Sequence, residues 1–261
     1  MSLVQAVVLG VVQGLTEFLP VSSSGHLILV PHVFGWADQG QAFDAVMHIG
    51  TLAALVAYFR RELVDLVTGK LSRRLTMVLI GATIPAGLAG LLLGKTIEAN
   101  LRSPLLIAGT TAFWGVIMWL ADRRGKTASS TPHDPLEHVG WRRGLAVGLA
   151  QAVALIPGTS RSGITITTGI FAGLDRATAA RFSFLLGIPI TAAAGGYKLL
   201  QLMRTGVPSD EAGPLIAAVI AAFLSGWLAV WFLVGYMRRR SLTPFVLYRL
   251  ALAVAIVFLI R

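Results

Sequence analysis

The stretch QGLTEFLPVSSSGH, which runs from Gln13 to His26, places polar groups inside sequence that is otherwise apolar. A carboxylate, three consecutive serines and an imidazole are costly in hydrocarbon, so they usually mark a functional site. Gln13 and Glu17 are four residues apart and therefore share one face of a helix that begins near Leu3. Pro20 disfavours helical geometry at the residue before it and is predicted to end that helix.

A second short helix is predicted directly after this break. Ser22, Ser23 and Ser24 are natural N-cap residues for a helix that begins at about Gly25, and His26 falls in its first turn. The unpaired N–H groups and the positive end of the helix dipole would then point at the break. The sequence therefore favours an anion at this position.

The composition of the chain is that of a membrane protein. Of its 261 residues, 55% are hydrophobic and only 13% are charged, and the mean hydropathy is +0.75, which is too apolar for a soluble domain. The net charge of +10 comes from basic residues in short links between apolar runs. That placement is the one that the positive-inside rule predicts for a membrane protein, so the charge does not indicate nucleic-acid binding. The chain has no cysteine, which excludes disulfides and thiolate metal sites.

Six apolar runs are long enough to cross about 30 Å of hydrocarbon. They lie at about 43–59, 75–94, 104–121, 178–200, 214–236 and 244–260. A pair of shorter apolar helices precedes each group of three runs, and the second pair, about 141–156 and 160–173, is interrupted at Pro157. The two halves match at an offset near 138, with Gln151 corresponding to Gln13.

We therefore predict an all-α polytopic membrane protein built as one membrane domain, 1–261. It comprises a first pseudo-repeat at about 1–122, a polar link at about 123–140 and a second pseudo-repeat at about 141–261. Three spans per half is an odd number, so the two halves must be inverted relative to each other. The basic links lie on the cytoplasmic side by the positive-inside rule. The paired short helices then fit two re-entrant hairpins, one from each side, whose tips meet at mid-membrane.

The second tip, PGTSRSGIT at 157–165, complements the first. Its glycines permit close backbone approach, and its hydroxyl residues can cap the following helix. Arg161 supplies a permanent cation with a fork of donors, and it needs an anionic partner. If the tips meet, Arg161 and two helix N-termini converge beside Glu17, Ser23 and His26, which is a phosphate site with a candidate nucleophile and base.

These two tips resemble the undecaprenyl-diphosphate phosphatase family of bacteria, also called the bacitracin-resistance family. The family motifs are a Glu or Gln four residues before a Glu, followed by a serine-rich turn and a histidine, and a PGxSRSxxT segment; both are present in full. FDAVMHIGTLAALVAYF and TPFVLYRL are also similar to family sequence. The resemblance implies six transmembrane helices and two re-entrant helical hairpins in inverted-topology repeats, which agrees with the architecture predicted above.

The resemblance also implies an activity. The protein would remove the terminal phosphate of undecaprenyl diphosphate, which recycles the carrier lipid for peptidoglycan synthesis and gives bacitracin resistance. It would lie in the bacterial inner membrane. The charges of the links, by the positive-inside rule, predict that its cleft opens to the extracytoplasmic side. The partners would be the polyprenyl diphosphate and the bilayer, with no nucleic acid and no organic cofactor. Small-residue pairs such as Gly10 with Gly14 allow close helix contact and leave a homodimer open.

The site residues follow from the resemblance position by position. The catalytic residues fall on Ser23, His26, Glu17 and Arg161. The residues expected to bind the substrate phosphates are Gln13, Ser22, Ser24, Gly25, Thr159, Ser160, Ser162, Gly163 and Thr165. As a hypothesis, Ser23 attacks the terminal phosphorus while His26 takes or orients its proton, and Arg161 stabilises the equatorial oxygens. Ser22 and His26 itself remain alternative nucleophiles.

The family further implies a divalent cation, Mg²⁺ or Ca²⁺. Because Gln13 supplies no second carboxylate, Glu17 and the substrate phosphates are the expected ligands. Asp44 and His48, four residues apart, are expected either beside the first tip or at the membrane interface. Arg249, inside the last apolar run, is expected to pair with a buried acid or with carbonyl groups in a structural role.

Two other functions fit part of the pattern. A transporter or flippase for prenyl-phosphate lipids could use the same inverted repeats, but it needs an anion site without a nucleophile. The type-2 phosphatidic acid phosphatases share the fragments SGH and SR with the two tips. That family requires a histidine shortly after its SR, and residues 163–172 contain none. We therefore reject the second alternative.

Overall fold

The computed structural model describes residues 1–37, 40–101, 103–125, 135–205 and 209–259. In these ranges the chain forms eleven α-helices and one short 3-10 helix, Pro135–His138, with no β-strand. The α-helices are α1 (Leu3–Phe18), α2 (Ser23–Val33), α3 (Gly40–Tyr58), α4 (Arg60–Thr68), α5 (Arg73–Asn100), α6 (Pro104–Asp122), α7 (Trp141–Val153), α8 (Arg161–Phe171), α9 (Arg176–Thr205), α10 (Ser209–Tyr236) and α11 (Thr243–Leu259). Half of the predicted polar link, 126–134, lies outside the described residues.

The first hairpin consists of α1 and α2. Ser2 begins α1 with a capping box, in which its hydroxyl accepts from the backbone of Gln5 and the Gln5 side chain bonds back to the Ser2 N–H. The helix ends at Phe18, as predicted from Pro20. The second helix begins earlier than predicted, at Ser23, because Ser22 adopts a left-handed backbone with φ 76°. The Ser22 side chain does not cap α2, in contrast to the prediction.

The second hairpin, α7 and α8, repeats this geometry. Ser160 has φ 69° and lies 138 residues after Ser22. These two serines are the only residues other than glycine with positive φ among those that the structure describes, and each is followed at once by a helix of 11 residues. The Ser160 hydroxyl accepts from the backbone N–H of Gly163 at 3.2 Å, so it caps α8 as predicted.

The remaining long helices make the chain a multi-pass membrane protein. Four segments are long and apolar enough to cross a bilayer: Arg73–Gly94, Pro104–Asp122, Arg176–Tyr197 and Glu211–Tyr236. A fifth results if α3 and α4, which are bent by 70° at their junction, are taken as one span. At 17 residues α11 is apolar but shorter.

Small residues let each hairpin pack closely against a long helix of the other half. The first helix α1 lies against α10, and α7 lies against α5. Gly10 meets the backbone carbonyl of Ala218, and Gly148 meets that of Ala82, so closely that neither site has room for a Cβ atom. The small-residue pair that left dimerisation open therefore serves packing within the chain. Around these contacts the core is apolar and includes Phe18, which packs edge-on against Phe184.

Candidate active site

The tips of the two hairpins touch through reciprocal hydrogen bonds. The hydroxyl of Ser24, in the first hairpin, accepts from the backbone N–H of Gly158 at 3.0 Å. The hydroxyl of Ser162, in the second hairpin, donates to the carbonyl of Leu19 at 3.3 Å. The N-termini of α2 and α8 therefore lie side by side, which places the unpaired N–H groups of two helices at one location.

The carboxylate of Glu17 accepts hydrogen bonds from side chains of both hairpins. Its Oε2 accepts from the Ser23 hydroxyl at 3.1 Å and from the Gln13 amide at 3.2 Å. Its Oε1 accepts from Arg161 Nη2 at 3.0 Å. The structure thus brings Ser23 and Arg161, which belong to different hairpins, to the two oxygens of one buried side chain.

The guanidinium of Arg161 keeps one donor group without a partner. Its Nη2 is bonded to Glu17, whereas Nη1 is buried and has no hydrogen-bond partner. The guanidinium lies against Gly187 of α9, where a Cβ atom would overlap it. A buried N–H donor without a partner is costly, so an anion that reached this group would be bound favourably.

The hydrogen bonds of the His26 imidazole go to residues other than Ser23, whereas the expected scheme has the ring take or orient the Ser23 proton. Its Nδ1 lies 2.7 Å from the Ser22 carbonyl oxygen, and its Nε2 lies 2.6 Å from the Tyr248 hydroxyl. Because a carbonyl only accepts, Nδ1 carries the proton and Nε2 accepts from Tyr248. The early start of α2 at Ser23 explains the difference, since the ring turns back to the Ser22 carbonyl, four residues before it.

His48 lies beside Gln13 and Glu17 near the first tip, one of the two placements that the sequence allowed. Its Nδ1 donates to the carbonyl of Asp44 at 2.8 Å. Its Nε2 lies 3.3 Å from the amide nitrogen of Gln13 and 3.6 Å from Glu17 Oε2. One Gln13 amide group therefore serves both Glu17 and His48, while the Gln13 Oε1 atom is buried without a partner.

Most of the other predicted phosphate-binding hydroxyls have hydrogen-bond partners within the protein. Thr165 donates to the Arg161 carbonyl at 2.6 Å and bonds to Ser183 at 2.5 Å. The hydroxyls of Ser22 and Ser24 lie 3.2 Å apart. The corresponding pair in the second hairpin, Ser160 and Ser162, lies 3.3 Å apart. Gly25, Gly163 and Thr159 are buried at the helix starts, and the Thr159 hydroxyl has no partner.

Arg249 donates hydrogen bonds to backbone carbonyls of both tips. Its Nε donates to the Thr111 carbonyl at 3.0 Å, and its Nη2 donates to the carbonyls of Gly158 and Thr159 at 3.0 and 3.1 Å. Its Nη1 lies 3.4 Å from the Pro20 carbonyl. Of the two partners expected for this residue, an acid or carbonyl groups, the structure has carbonyl groups.

Sequence reasoning missed three residues of the site. Tyr248 bonds to His26, Ser183 bonds to Thr165, and Gly187 makes room for Arg161. Each lies far along the chain from its partner, and none belongs to either tip motif. The one signal in the sequence for Tyr248 is that its segment, TPFVLYRL, is similar to family sequence.

The described residues contain no group of three or more His, Asp or Glu side chains that could hold a metal ion. Glu17 nevertheless offers a carboxylate to a hard cation, whereas Gln13 turns its amide nitrogen toward that carboxylate at 3.2 Å. The Glu17 carboxylate fits an ion such as Mg²⁺ that takes its other ligands from phosphate and water.

These features define a polytopic helical membrane protein with a buried polar site between two helix breaks. The family model described as bacitracin resistance protein BacA matches residues 6–255, so the chain belongs to that family. It is 47% identical to undecaprenyl-diphosphatase 2 of Stutzerimonas stutzeri (strain A1501), over 99% of this chain and 98% of that protein. It is 46% identical to undecaprenyl-diphosphatase of Teredinibacter turnerae (strain ATCC 39867 / T7901), over 97% and 98%, and 42% identical to undecaprenyl-diphosphatase 1 of Pseudoalteromonas translucida (strain TAC 125), over 98% of both.

Proposed function

We propose that this protein hydrolyses undecaprenyl diphosphate to undecaprenyl phosphate and inorganic phosphate. The carrier lipid is thereby recycled for peptidoglycan synthesis, and the cell becomes resistant to bacitracin. Family membership and the names of the relatives support this reaction. The observation that carries the proposal is the meeting of Ser23 and Arg161 at the two oxygens of Glu17.

Ser23 is the nucleophile in this proposal, and Glu17 is its base. The Ser23 oxygen forms a bond to the terminal phosphorus, its proton passes to Glu17 Oε2 at 3.1 Å, and the bond to undecaprenyl phosphate breaks. Water then hydrolyses the phosphoserine and releases inorganic phosphate. The free Nη1 of Arg161 and the N–H groups at the starts of α2 and α8 stabilise the oxygens of the transferring group.

His26 retains a catalytic role, but a different one from the base first expected. Its Nε2, held by the Tyr248 hydroxyl, is the atom that can exchange a proton at the edge of the site, and Tyr248 is about half exposed. In the proposal, the pair supplies or removes a proton for the leaving group or the attacking water. The remaining serines, Ser22, Ser24, Ser160 and Ser162, shape the tips around the phosphates.

A divalent cation fits the site as a companion of the substrate. Glu17 would hold it, with the diphosphate as its other main ligand. When bound, such an ion supplies charge neutralisation for the phosphoryl oxygens. The steps assigned to Ser23 and Arg161 do not depend on it.

We further propose six spans, α3, α5, α6, α9, α10 and α11, with the two hairpins as re-entrant elements of inverted repeats at about 1–122 and 141–261. Contacts between helix ends support this topology. His32, near the end of α2, bonds to the Leu259 carbonyl at the end of α11 at 2.6 Å. On the opposite side Asp122, at the end of α6, bonds to Arg176 at the start of α9 at 2.6 Å. Each pair joins helix ends that the topology places on the same side.

We also propose that the protein lies in the bacterial inner membrane with its basic links in the cytoplasm, as the positive-inside rule predicts. The first hairpin then enters from outside, so the cleft that holds Ser23 opens to the extracytoplasmic side. A homodimer is compatible with this arrangement, because many apolar side chains of the long helices face outward, such as Leu91 and Leu92.

The test is release of inorganic phosphate from undecaprenyl diphosphate by the full chain purified in detergent. Ser23→Ala and Arg161→Ala should each lower kcat/KM by about a hundredfold or more, the loss typical of a removed nucleophile or charge-stabilising donor. The matched control is Ser103→Ala, because Ser103 is exposed at the start of α6 and its side chain caps nothing.

Phosphate release that is unchanged in both variants would refute the proposed active site. A wild-type chain that binds the lipid but releases no phosphate would refute the reaction. Mass spectrometry of a trapped phospho-adduct would then identify the nucleophile, and an adduct on His26 or Ser22 would exclude Ser23.

A further inference from the structure

The polar centre between the tips contains one ion pair before substrate binds. Arg161 is paired with Glu17 at 3.0 Å, so their charges cancel. A diphosphate carries several negative charges, and a balanced ion pair provides little net attraction for it.

Arg249 is the buried cation that remains without a counter-charge. Its side chain is 1% exposed, and it has no carboxylate partner among the described residues. Other part-buried arginines are paired differently: Arg176 with Asp122 at 2.6 Å and Arg181 with Glu62 at 3.2 Å. Carbonyl dipoles satisfy the donors of Arg249 but cancel none of its net charge, so its positive field persists in a medium of low dielectric.

The position of this charge is at the wall of the anion site. Three of its four carbonyl partners belong to the tips, one in the first (Pro20) and two in the second (Gly158 and Thr159). The guanidinium also lies against the first turn of α8, since a Cβ atom at Gly163 would be 3.2 Å from Arg249 Nη1. Gly115 of α6 leaves space for the aliphatic part of the Arg249 side chain, because a Cβ atom at position 115 would be 3.4 Å from Arg249 Cβ.

We propose that Arg249 supplies the uncompensated positive charge that holds a diphosphate at the tips, as a positioning residue that does not itself touch the substrate. This inference rests on the proposed function, because it takes the substrate's anionic group to be a diphosphate. In this inference, the charge of Arg249 gives the site its affinity for the diphosphate. The hydrogen bonds of Arg249 keep the two tips aligned. Charge and hydrogen bonding can be separated experimentally.

The experiment is isothermal titration of inorganic pyrophosphate into the full chain purified in detergent. Arg249→Gln, which removes the charge, should raise the Kd at least tenfold, whereas Arg249→Lys, which keeps it, should stay within threefold. The matched control is Arg176→Gln, because Arg176 is also a part-buried arginine but is already neutralised by Asp122. It should leave the Kd unchanged even where it lowers the melting temperature. In hydrolysis assays, KM should rise more than kcat falls for Arg249→Gln.

An unchanged Kd in folded Arg249→Gln would overturn the inference, and so would a tenfold loss in Arg249→Lys or an absence of measurable binding to the wild type. If the Gln variant does not fold, the Lys variant decides alone by the same limits. The outcome is separate from that of the proposed function. If the wild type releases phosphate but Arg249→Gln binds pyrophosphate with an unchanged Kd, only the inference is refuted. A wild type that binds pyrophosphate through Arg249 without hydrolysis refutes only the function.

Discussion

At Gln13 an amide stands where the family pattern also admits glutamate, and this choice sets the charge of the site. The amide donates to Glu17 at 3.2 Å and approaches His48 at 3.3 Å. A carboxylate at the same position would place two negative groups side by side, which is unfavourable in a buried environment. With glutamine, the Glu17 carboxylate has no negative neighbour at position 13 and can bond to Ser23 and Arg161 together.

The Tyr248 hydroxyl is expected to contribute to turnover through His26. Tyr248→Phe removes the donor to His26 Nε2 and should lower kcat by about fivefold, because one hydrogen bond contributes about 1 kcal/mol. The matched control is Tyr236→Phe, since Tyr236 packs against Phe245 and its hydroxyl has no hydrogen-bond partner among the residues that the structure describes. Phosphate release under saturating substrate measures both. An equal loss of kcat in the two variants would contradict a specific role of the Tyr248 hydroxyl in turnover.

Gly187 is expected to be required for the position of Arg161. In Gly187→Ala the new methyl group would displace the guanidinium, and a misplacement of about 1 Å can cost about a hundredfold in rate. Gly196→Ala, in the same helix, is the control because a Cβ atom there meets nothing within 4 Å. Phosphate release and melting temperature are measured together. Full activity in the Gly187 variant would contradict the placement of Arg161.

At the scale of elements, each hairpin is held by a helix of the opposite half through a contact between backbones. Gly148→Ala inserts a methyl group against the Ala82 carbonyl of α5, and backbone cannot move away as a flexible side chain can. We expect a loss of about 1–3 kcal/mol in unfolding free energy. Gly94→Ala, in α5 with open space around it, is the control. Thermal unfolding in detergent measures the difference, and equal melting temperatures would contradict the packing.

The helix breaks could be predicted because proline acts on the residue beside it. Pro20 and Pro157 therefore located both tips, and the hydroxyl and glycine content of the tips indicated an anion site. The positive φ of Ser22 and Ser160 could not be predicted, because serine rarely adopts it and only the surrounding packing imposes it. The same limit explains why Tyr248 was missed, since its partner His26 lies 222 residues away in the chain.

For the whole molecule, the absence of cysteine makes the proposed topology directly testable. Lys70→Cys, in a basic link after α4, and Asn100→Cys, at the end of α5, are exposed positions. A membrane-impermeant maleimide added to intact spheroplasts should label Asn100→Cys, and should label Lys70→Cys only after the membrane is opened. The wild-type chain is the unlabelled control. Labelling of both from the same side would contradict six spans in inverted repeats.

The position of α11 has a consequence for biosynthesis. It follows both hairpins in the sequence, yet Tyr248 and Arg249 bond to the tips of both hairpins. Until α11 has been synthesised, the two tips lack the hydrogen bonds that these two side chains supply. Hydrolytic capacity would therefore arise late in synthesis, when α11 leaves the translocon and docks, and nascent chains that stall before α11 would be inert toward the cell's lipid carrier pool.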